Sequence, residues 1–502
     1  MTSPTPSWPA PPTPFNMAAH VLARAGALAD KVALSLVSPD GAEDWSYGRL
    51  ETAVRGTATG LLARGLEPGD RVLLRLGNSV DFPVAYLGAI AAGLVPVPSS
   101  AQLTGPEITR MARVLAPKLV IAAAGIALPE LTDVPVLDQE ALRQMRTLPP
   151  AAYAMGDPDR PAYAVFTSGT SGVSRAVLHA HRAIWARGMM TDGWYGLRQD
   201  DRLLHAGAFN WTYTLGTGLM DPWTAGATAL IPVEGVTSAE LGALLARHDA
   251  TLFAAAPGVY RQMLRGNLPA LPALRHGLTA GEKLPEITRA HWVEATGTAL
   301  HEAYGMSECS TFISGSPDRP APPGTLGYPQ PGRRIAVLGD DGPVPAGTPG
   351  VLAIHRSDPG LMLGYLNAPE ETAARFRGDW FLTGDVVSQG ADGAITYQGR
   401  DDDMMNAGGF RVSPVEVEAA LNRHPEVLES AAVELQIKAD ASVIAAFYTA
   451  DRDLPEAELT AFLADHLAHY KMPRLFRRIP EIPRGANNKL LRRALRDRAK
   501  ET

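Results

Sequence analysis

The sequence predicts an α/β protein with a large N-terminal domain of parallel sheets flanked by helices, a small β-barrel-like part, and a smaller mobile α+β C-terminal domain. Three observations carry this. From Phe15 onward, helix-patterned stretches alternate with short apolar runs, the rhythm of parallel strands covered by helices on both faces. Between Ala321 and Ile354 the texture changes to short strands rich in Gly and Pro, an all-β insert. The chain's 502 residues exceed a usual domain of about 100–200 residues, so a single small core is excluded.

Taken in order, residues 1–14 hold six prolines and predict a flexible tail outside the core. The large domain is expected over 15–400. Its helices include Met17–Ala25 and Leu50–Arg64, and its strands Arg71–Leu76, Lys118–Ala123, Ala162–Phe166, Ala227–Val233 and Thr251–Ala255. Ala176–Met189 reads as a further helix. Residues 401–402 join this domain to a C-terminal one over 403–502, with helices at Val415–Asn422 and Leu459–His466 and strands at Ser430–Leu435 and Val443–Tyr448. The run Asp401-Asp402-Asp403 reads by spacing alone as a solvated turn rather than a metal site.

Composition narrows the class. Hydrophobic residues make up 46% and charged residues 20%, ordinary for a globular chain and against disorder throughout. A net charge of −7 argues against nucleic-acid binding, which needs concentrated Lys and Arg. The one cysteine, Cys309, makes no internal disulfide and no multi-cysteine zinc site. No secretory signal is visible, and the longest apolar stretch, Tyr86–Pro98, is too short for a membrane span, so a cytoplasmic protein is expected. Only seven residues are lysine, at 31, 118, 283, 438, 471, 489 and 500, so each invites the question of why it is not arginine.

The most informative segment runs VFTSGTSGVSR from Val165 to Arg175. Glycines let backbone N–H groups converge on an anion, and Thr and Ser hydroxyls add donors or reach a metal ion. It is not a Walker A loop, which ends Gly-Lys-[Ser/Thr]. After it come AGEK (280–283), HEAYGMSE (301–308), WFLTGD (380–385), GRDDD (399–403), NAGGFRVSP (406–414) and PRGANNK (483–489).

These seven segments, in this order, resemble the adenylate-forming superfamily of acyl- and aryl-CoA synthetases, peptide-synthetase adenylation domains and luciferases, over roughly residues 15–496. Gly305-Met306-Ser307-Glu308 and the VSPVEVE run over 412–418 give the texture of benzoate-type and medium-chain acid–CoA ligases. The resemblance implies ATP, Mg²⁺ and coenzyme A as cofactors, and residues for each. Thr167, Ser168, Gly169, Thr170, Ser171, Gly172 and Arg175 would hold the β- and γ-phosphates, with Thr170 and Glu308 on Mg²⁺, a hard ion suited to oxygen ligands. Gly281, Glu282, Lys283 and Tyr304 would cradle adenine, and Asp385 would accept from the ribose hydroxyls with Arg400 beside it. Lys489 would reach the α-phosphate and the attacking carboxylate, a role for a compact mobile ammonium that a planar guanidinium fills poorly. Lys489, Thr170, Glu308 and Arg400 are thus the expected catalytic set. Asp402 falls at the family's hinge. Rotation there would withdraw Lys489 and bring in Asn406–Arg411, where Gly408 and Gly409 let the pantetheine arm pass close to the backbone.

The chain departs from the family in places. Its phosphate loop ends Ser174-Arg175-Ala176 where Pro-Lys-Gly is usual, and Asn487-Asn488 stand where Ser/Thr-Gly usually precede the lysine. Phe209-Asn210 lacks the aspartate that pairs with an amino-acid ammonium, so free α-amino acids rank low. Gly305 stands where acetate-specific relatives place a tryptophan, which implies a longer or ring-shaped acid. Phe209, Trp211, Tyr213, Ala255, Gly305 and Met306 are the expected pocket walls, suited to a hydrophobic carboxylic acid of short, medium or aromatic type. Two other readings stand beside the ligase: a stand-alone adenylation protein that loads a carrier-protein phosphopantetheine, and a non-catalytic nucleotide-binding homologue. A homodimer, and a lysine acyltransferase or deacylase acting on Lys489, complete the set of expected partners.

Overall fold

The computed structural model describes residues 8–167, 175–407, 410–438, 441–485 and 490–500. It divides into two compact units. One comprises Met1–Arg334 with Arg356–Asp379, the other Ile335–His355 with Trp380–Thr502.

The first unit is built on a nine-stranded sheet. Its order is Tyr328–Pro329, Ser310–Ser314, Ala299–Met306, His276–Ala280, Leu252–Ala255, Arg202–His205, Thr228–Pro232, Val32–Ser38 and Gly41–Ser46. The strands from Ala299–Met306 through Val32–Ser38 are parallel, and antiparallel strands close both edges. The inner strands are buried on both faces, which is why they read as unbroken apolar runs. A second, parallel sheet orders Val95–Pro98, Arg71–Arg75, Leu119–Ala122 and Val136–Asp138. The helix between them, Tyr47–Leu62, starts where Ser46 accepts from the Arg49 N–H at 3.3 Å, a side-chain N-cap.

One expected helix is a strand. Arg175–Ala180 pairs antiparallel with Pro161–Thr167, and the chain turns helical only at Ala183–Arg187. The Ala-Val-Leu-His-Ala run carries no strong local preference, and burial against its hairpin partner decides it. Trp8 and Pro9 of the expected tail lie against this unit: the Trp185 indole donates to the Pro9 carbonyl at 2.7 Å, and Trp8 packs beside Gly188 and Gly332.

In the second unit, Ile335–Gly339, Gly350–His355, Trp380–Gln389 and Ile395–Arg400 form an antiparallel sheet. Its first two strands fall in the Gly- and Pro-rich stretch, its last two lie beyond it, and the whole sheet groups with the C-terminal unit rather than with the large domain expected over 15–400. Beyond it, Glu429–Lys438, Ala441–Thr449 and Leu475–Arg478 form a three-stranded sheet with helices Pro414–Leu421 and Glu456–Ala464 on its flank. Ser413 caps the first of these by accepting from Glu416 N–H at 3.3 Å. The terminal helix Arg492–Lys500 is held from its first turn, where the Arg492 guanidinium donates to both oxygens of half-buried Glu418 at 2.7 and 2.8 Å.

Candidate functional site

In the first unit, the expected residues gather at the carboxyl ends of the parallel strands, where ligands bind in open α/β sheets. His205, Ala255 and Ala280 end neighbouring strands, and Tyr304, Gly305 and Met306 end the next. Ala280 leads straight into Gly281, which takes φ +96° and lies so close to Trp211 that a β-carbon would approach its ring to 2.8 Å. Trp211 meets Tyr213 edge to face at 5.1 Å, and Tyr213 donates to the Leu278 carbonyl at 3.1 Å. Gly281, expected beside adenine, and Trp211 and Tyr213, expected around the acid, are thus in one continuous contact. Buried Glu302 fixes the turn that follows, accepting from the Leu284 N–H at 2.9 Å and from Arg289 at 3.4 Å. Lys283 Nζ, buried in that turn, has no hydrogen-bond partner among the described residues.

The turn carrying Glu308 is clamped through its backbone and side chains. His179 meets the Ser307 carbonyl at 2.7 Å; burial pushes the imidazole down to about 4, so it is neutral near pH 7 and donates. Arg187, paired with buried Asp221, reaches Ser310 Oγ. Arg333, paired with buried Asp358 at 2.7 Å, donates to the Cys309 and Thr311 carbonyls at 3.2 and 2.8 Å. Breaking either buried ion pair would strand a charge, at a cost of about 3–5 kcal/mol.

Glu308 itself accepts from the Tyr365 hydroxyl at 2.8 Å, and the Arg175 guanidinium stands 5.7 Å over the Tyr365 ring while pairing with Glu371. Thr167 faces Arg175 across the last pair of the hairpin. Arg175, Tyr365 and Glu308 therefore form a row beside the strand ends. Tyr365 and Glu371 carry no motif of their own and lie nearly 200 residues from Arg175 in sequence, so sequence reasoning missed them. Asn78 was missed for the same reason. It donates to the Gly207 carbonyl at 3.0 Å and accepts from the Phe209 N–H at 2.9 Å, holding the turn that delivers Phe209. Phe209 is buried 5.5 Å from Phe82. Tyr304 is half-buried, edge-on to Phe312 at 5.4 Å.

Gly305 has a structural reason to be glycine. A β-carbon there would come within 2.3 Å of the Ser310 carbonyl oxygen, which is backbone and cannot move aside. Its lack of a side chain is a requirement of this hairpin, so it does not by itself imply a longer or ring-shaped acid.

In the second unit, the Asp385 carboxylate lies 3.6 Å from Arg400 and accepts from the Tyr397 hydroxyl at 3.3 Å. Arg400 also donates to the Thr383 carbonyl at 3.1 Å and to Asp402 at 3.3 Å, and the two carboxylates hold its pKa up despite burial. Asp403 pairs with Arg496 at 2.9 Å and Arg492 at 3.6 Å, so the triple-aspartate run is tied to arginines rather than only solvated. Ser168, Gly169, Thr170, Ser171, Gly172, Gly408, Gly409 and Lys489, with Asn487 and Asn488, lie outside the described residues, as does the side chain of Arg411.

Two family models match the chain. The AMP-binding enzyme model matches residues 22–366, and the AMP-binding enzyme C-terminal domain matches residues 416–489. The chain is 30% identical to 3-hydroxybenzoate–CoA ligase of Aromatoleum sp. (strain CIB), over 91% of this chain and 92% of that protein. It is also 30% identical to benzoate–CoA ligase of Thauera aromatica, over 91% of each. A crystal structure of a benzoate CoA ligase from Burkholderia xenovorans LB400 superposes with a TM-score of 0.85 at 30% identity, covering 96% of this chain and 100% of that one. The chain belongs to the AMP-binding enzyme family. Within it, the chain is an AMP-forming acid–thiol ligase that uses ATP and coenzyme A.

Proposed function

We propose that the protein activates a hydrophobic carboxylic acid, aromatic or of short to medium chain, and that the residues gathered above divide the work as follows. A carboxylate oxygen attacks the α-phosphorus of ATP, the bond to the β-phosphate oxygen breaks, and pyrophosphate leaves. The CoA sulfur then attacks the acyl carbonyl carbon, AMP leaves, and the thiol proton passes to solvent. The first step brings two anions together, so it needs positive charge and N–H donors at the phosphates. Arg175 and the 168–172 loop bind the departing pyrophosphate, and Lys489 neutralises the charge that develops at the α-phosphate. Glu308 and Thr170 offer the hard oxygen ligands that suit Mg²⁺, which supplies charge neutralisation when bound. Asp385 and Arg400 hold the ribose, Tyr304 stacks on adenine, and Phe209, Trp211 and Tyr213 line the acid pocket.

The observation that carries this reading is the row Arg175–Tyr365–Glu308 beside strand ends that also hold Gly281, Trp211 and Tyr213. The relatives named for benzoate and hydroxybenzoate favour a ring-bearing acid. No helix among the described residues is long and apolar enough to cross a membrane. The reading includes a cytoplasmic site of action, where ATP and free CoA would be available.

The test is product analysis with a panel of acids, ATP and free CoA. The expected result is one AMP and one acyl-CoA per acid consumed. AMP formation without acyl-CoA would move the assignment to a carrier-protein thiol. No AMP with any acid would overturn it.

A further inference from the structure

His205 is the last residue of its strand and 0% exposed, yet neither ring nitrogen has a hydrogen-bond partner among the described residues. The Thr214 hydroxyl, also 0% exposed, is likewise without one. The two are neighbours. The point where a β-carbon on Gly207 would sit lies 2.2 Å from Thr214 Oγ1 and 3.1 Å from His205 Nδ1. Strand alternation puts His205 on the face of Leu203, which packs with Tyr213, Trp211, Ala254, Leu278 and Ala280. The Tyr213 ring stands edge to face with the imidazole at 4.4 Å. Thr214 opens a π-helix over Thr214–Met220, a rare winding found often at functional sites.

Buried polar groups nearly always find partners, and leaving one unpaired is destabilising. Burial, which outweighs an opposing influence of its own backbone, pushes the His205 imidazole down to about 3, so near pH 7 it is neutral, with one N–H and one lone pair. A hydroxyl such as Thr214's can also donate or accept. Their complement is a neutral group that does both. Among the described residues no ionised side chain acts on His205, so a charged substituent would find no counter-ion among them.

We infer that the acid carries a neutral hydroxyl or ring-bound amino group, which His205 and Thr214 recognise at the buried end of the acid pocket beyond Tyr213. This rests on the ligase reading above. His205 is then a specificity-determining residue with no part in the phosphate chemistry.

The test measures kcat/KM by pyrophosphate release in the full chain. The substrates are pairs of aromatic acids that differ by one ring hydroxyl or amino group at each position. Wild type should prefer one substituted acid over its parent by about tenfold or more. His205→Phe, which keeps an aromatic ring, should reduce that ratio by about tenfold, and Thr214→Val by a smaller factor. If His205→Phe does not fold, the wild-type ratios and Thr214→Val decide. Wild-type ratios all within about twofold of one, or a ratio unchanged in the variants, would overturn the inference and leave the ligase reading standing. Failure of every acid to release pyrophosphate would overturn the ligase reading, and this inference with it.

Discussion

Arg175 pairs with Glu371 and stacks over Tyr365, whose hydroxyl holds Glu308. Phosphate binding in the proposed mechanism exchanges the Glu371 carboxylate for phosphate oxygens. Tyr365→Phe removes one charge-assisted hydrogen bond to Glu308 and should raise the KM for ATP about 3–30-fold with a smaller change in kcat. Initial rates against ATP at fixed Mg²⁺ check this. Gly305→Ala forces a β-carbon against the Ser310 carbonyl and should cost about 1–3 kcal/mol of stability, read from denaturant unfolding. Lys489→Ala should slow adenylation far more than thiol transfer from preformed acyl-AMP, and equal losses would contradict a two-conformation enzyme. Acylation of Lys489 removes the same charge, so an acetyl-lysine variant should also lose adenylation. At this scale, motif residues were legible in sequence because their chemistry demands a residue type at a fixed spacing. Tyr365, Glu371, Asn78 and His205 were not, since each acts through partners that only the fold brings near.

The strands, and the turn after one of them, carry a set of buried histidines with one shared consequence. Burial lowers His179, His276 and His301 to about 4 and His181 and His205 to about 3. In the unfolded chain each would take up a proton near its ordinary value of 6.5. The unfolded state therefore binds more protons between these values, and stability falls as pH drops below about 6.5, levelling only once the folded groups titrate near 3–4. Above about 6.5 these groups should contribute no pH dependence. Thermal midpoints between pH 4 and 8 test this, and a flat profile below 6.5 would contradict it. The helix expected over Ala176–Met189 failed here for a related reason. Its apolar residues suit a strand or a helix alike, and the register with Pro161–Thr167 is a tertiary fact. The parallel strands were legible because burial on both faces writes itself as continuous apolar runs.

For the whole molecule, the length that excluded a single core resolves into two compact units. The mild net charge of −7 is compatible with the proposal that phosphate binding rests on one loop and a few residues. We propose that residues 403–502 turn about Asp402 between the half-reactions. Ser413 Oγ donates to the Gln398 carbonyl across that point, and Arg400 holds Asp402 itself. Asp402→Pro, which fixes φ, should slow the step that follows the turn by about tenfold or more while sparing the other. In the proposed mechanism, acid and ATP form an acyl-adenylate before any thiol arrives. The most direct measurement is exchange of labelled pyrophosphate into ATP by the full chain without CoA. Exchange should depend on the acid and be lost in Lys489→Ala; ATP binding without exchange for any acid would contradict an acyl-adenylate intermediate.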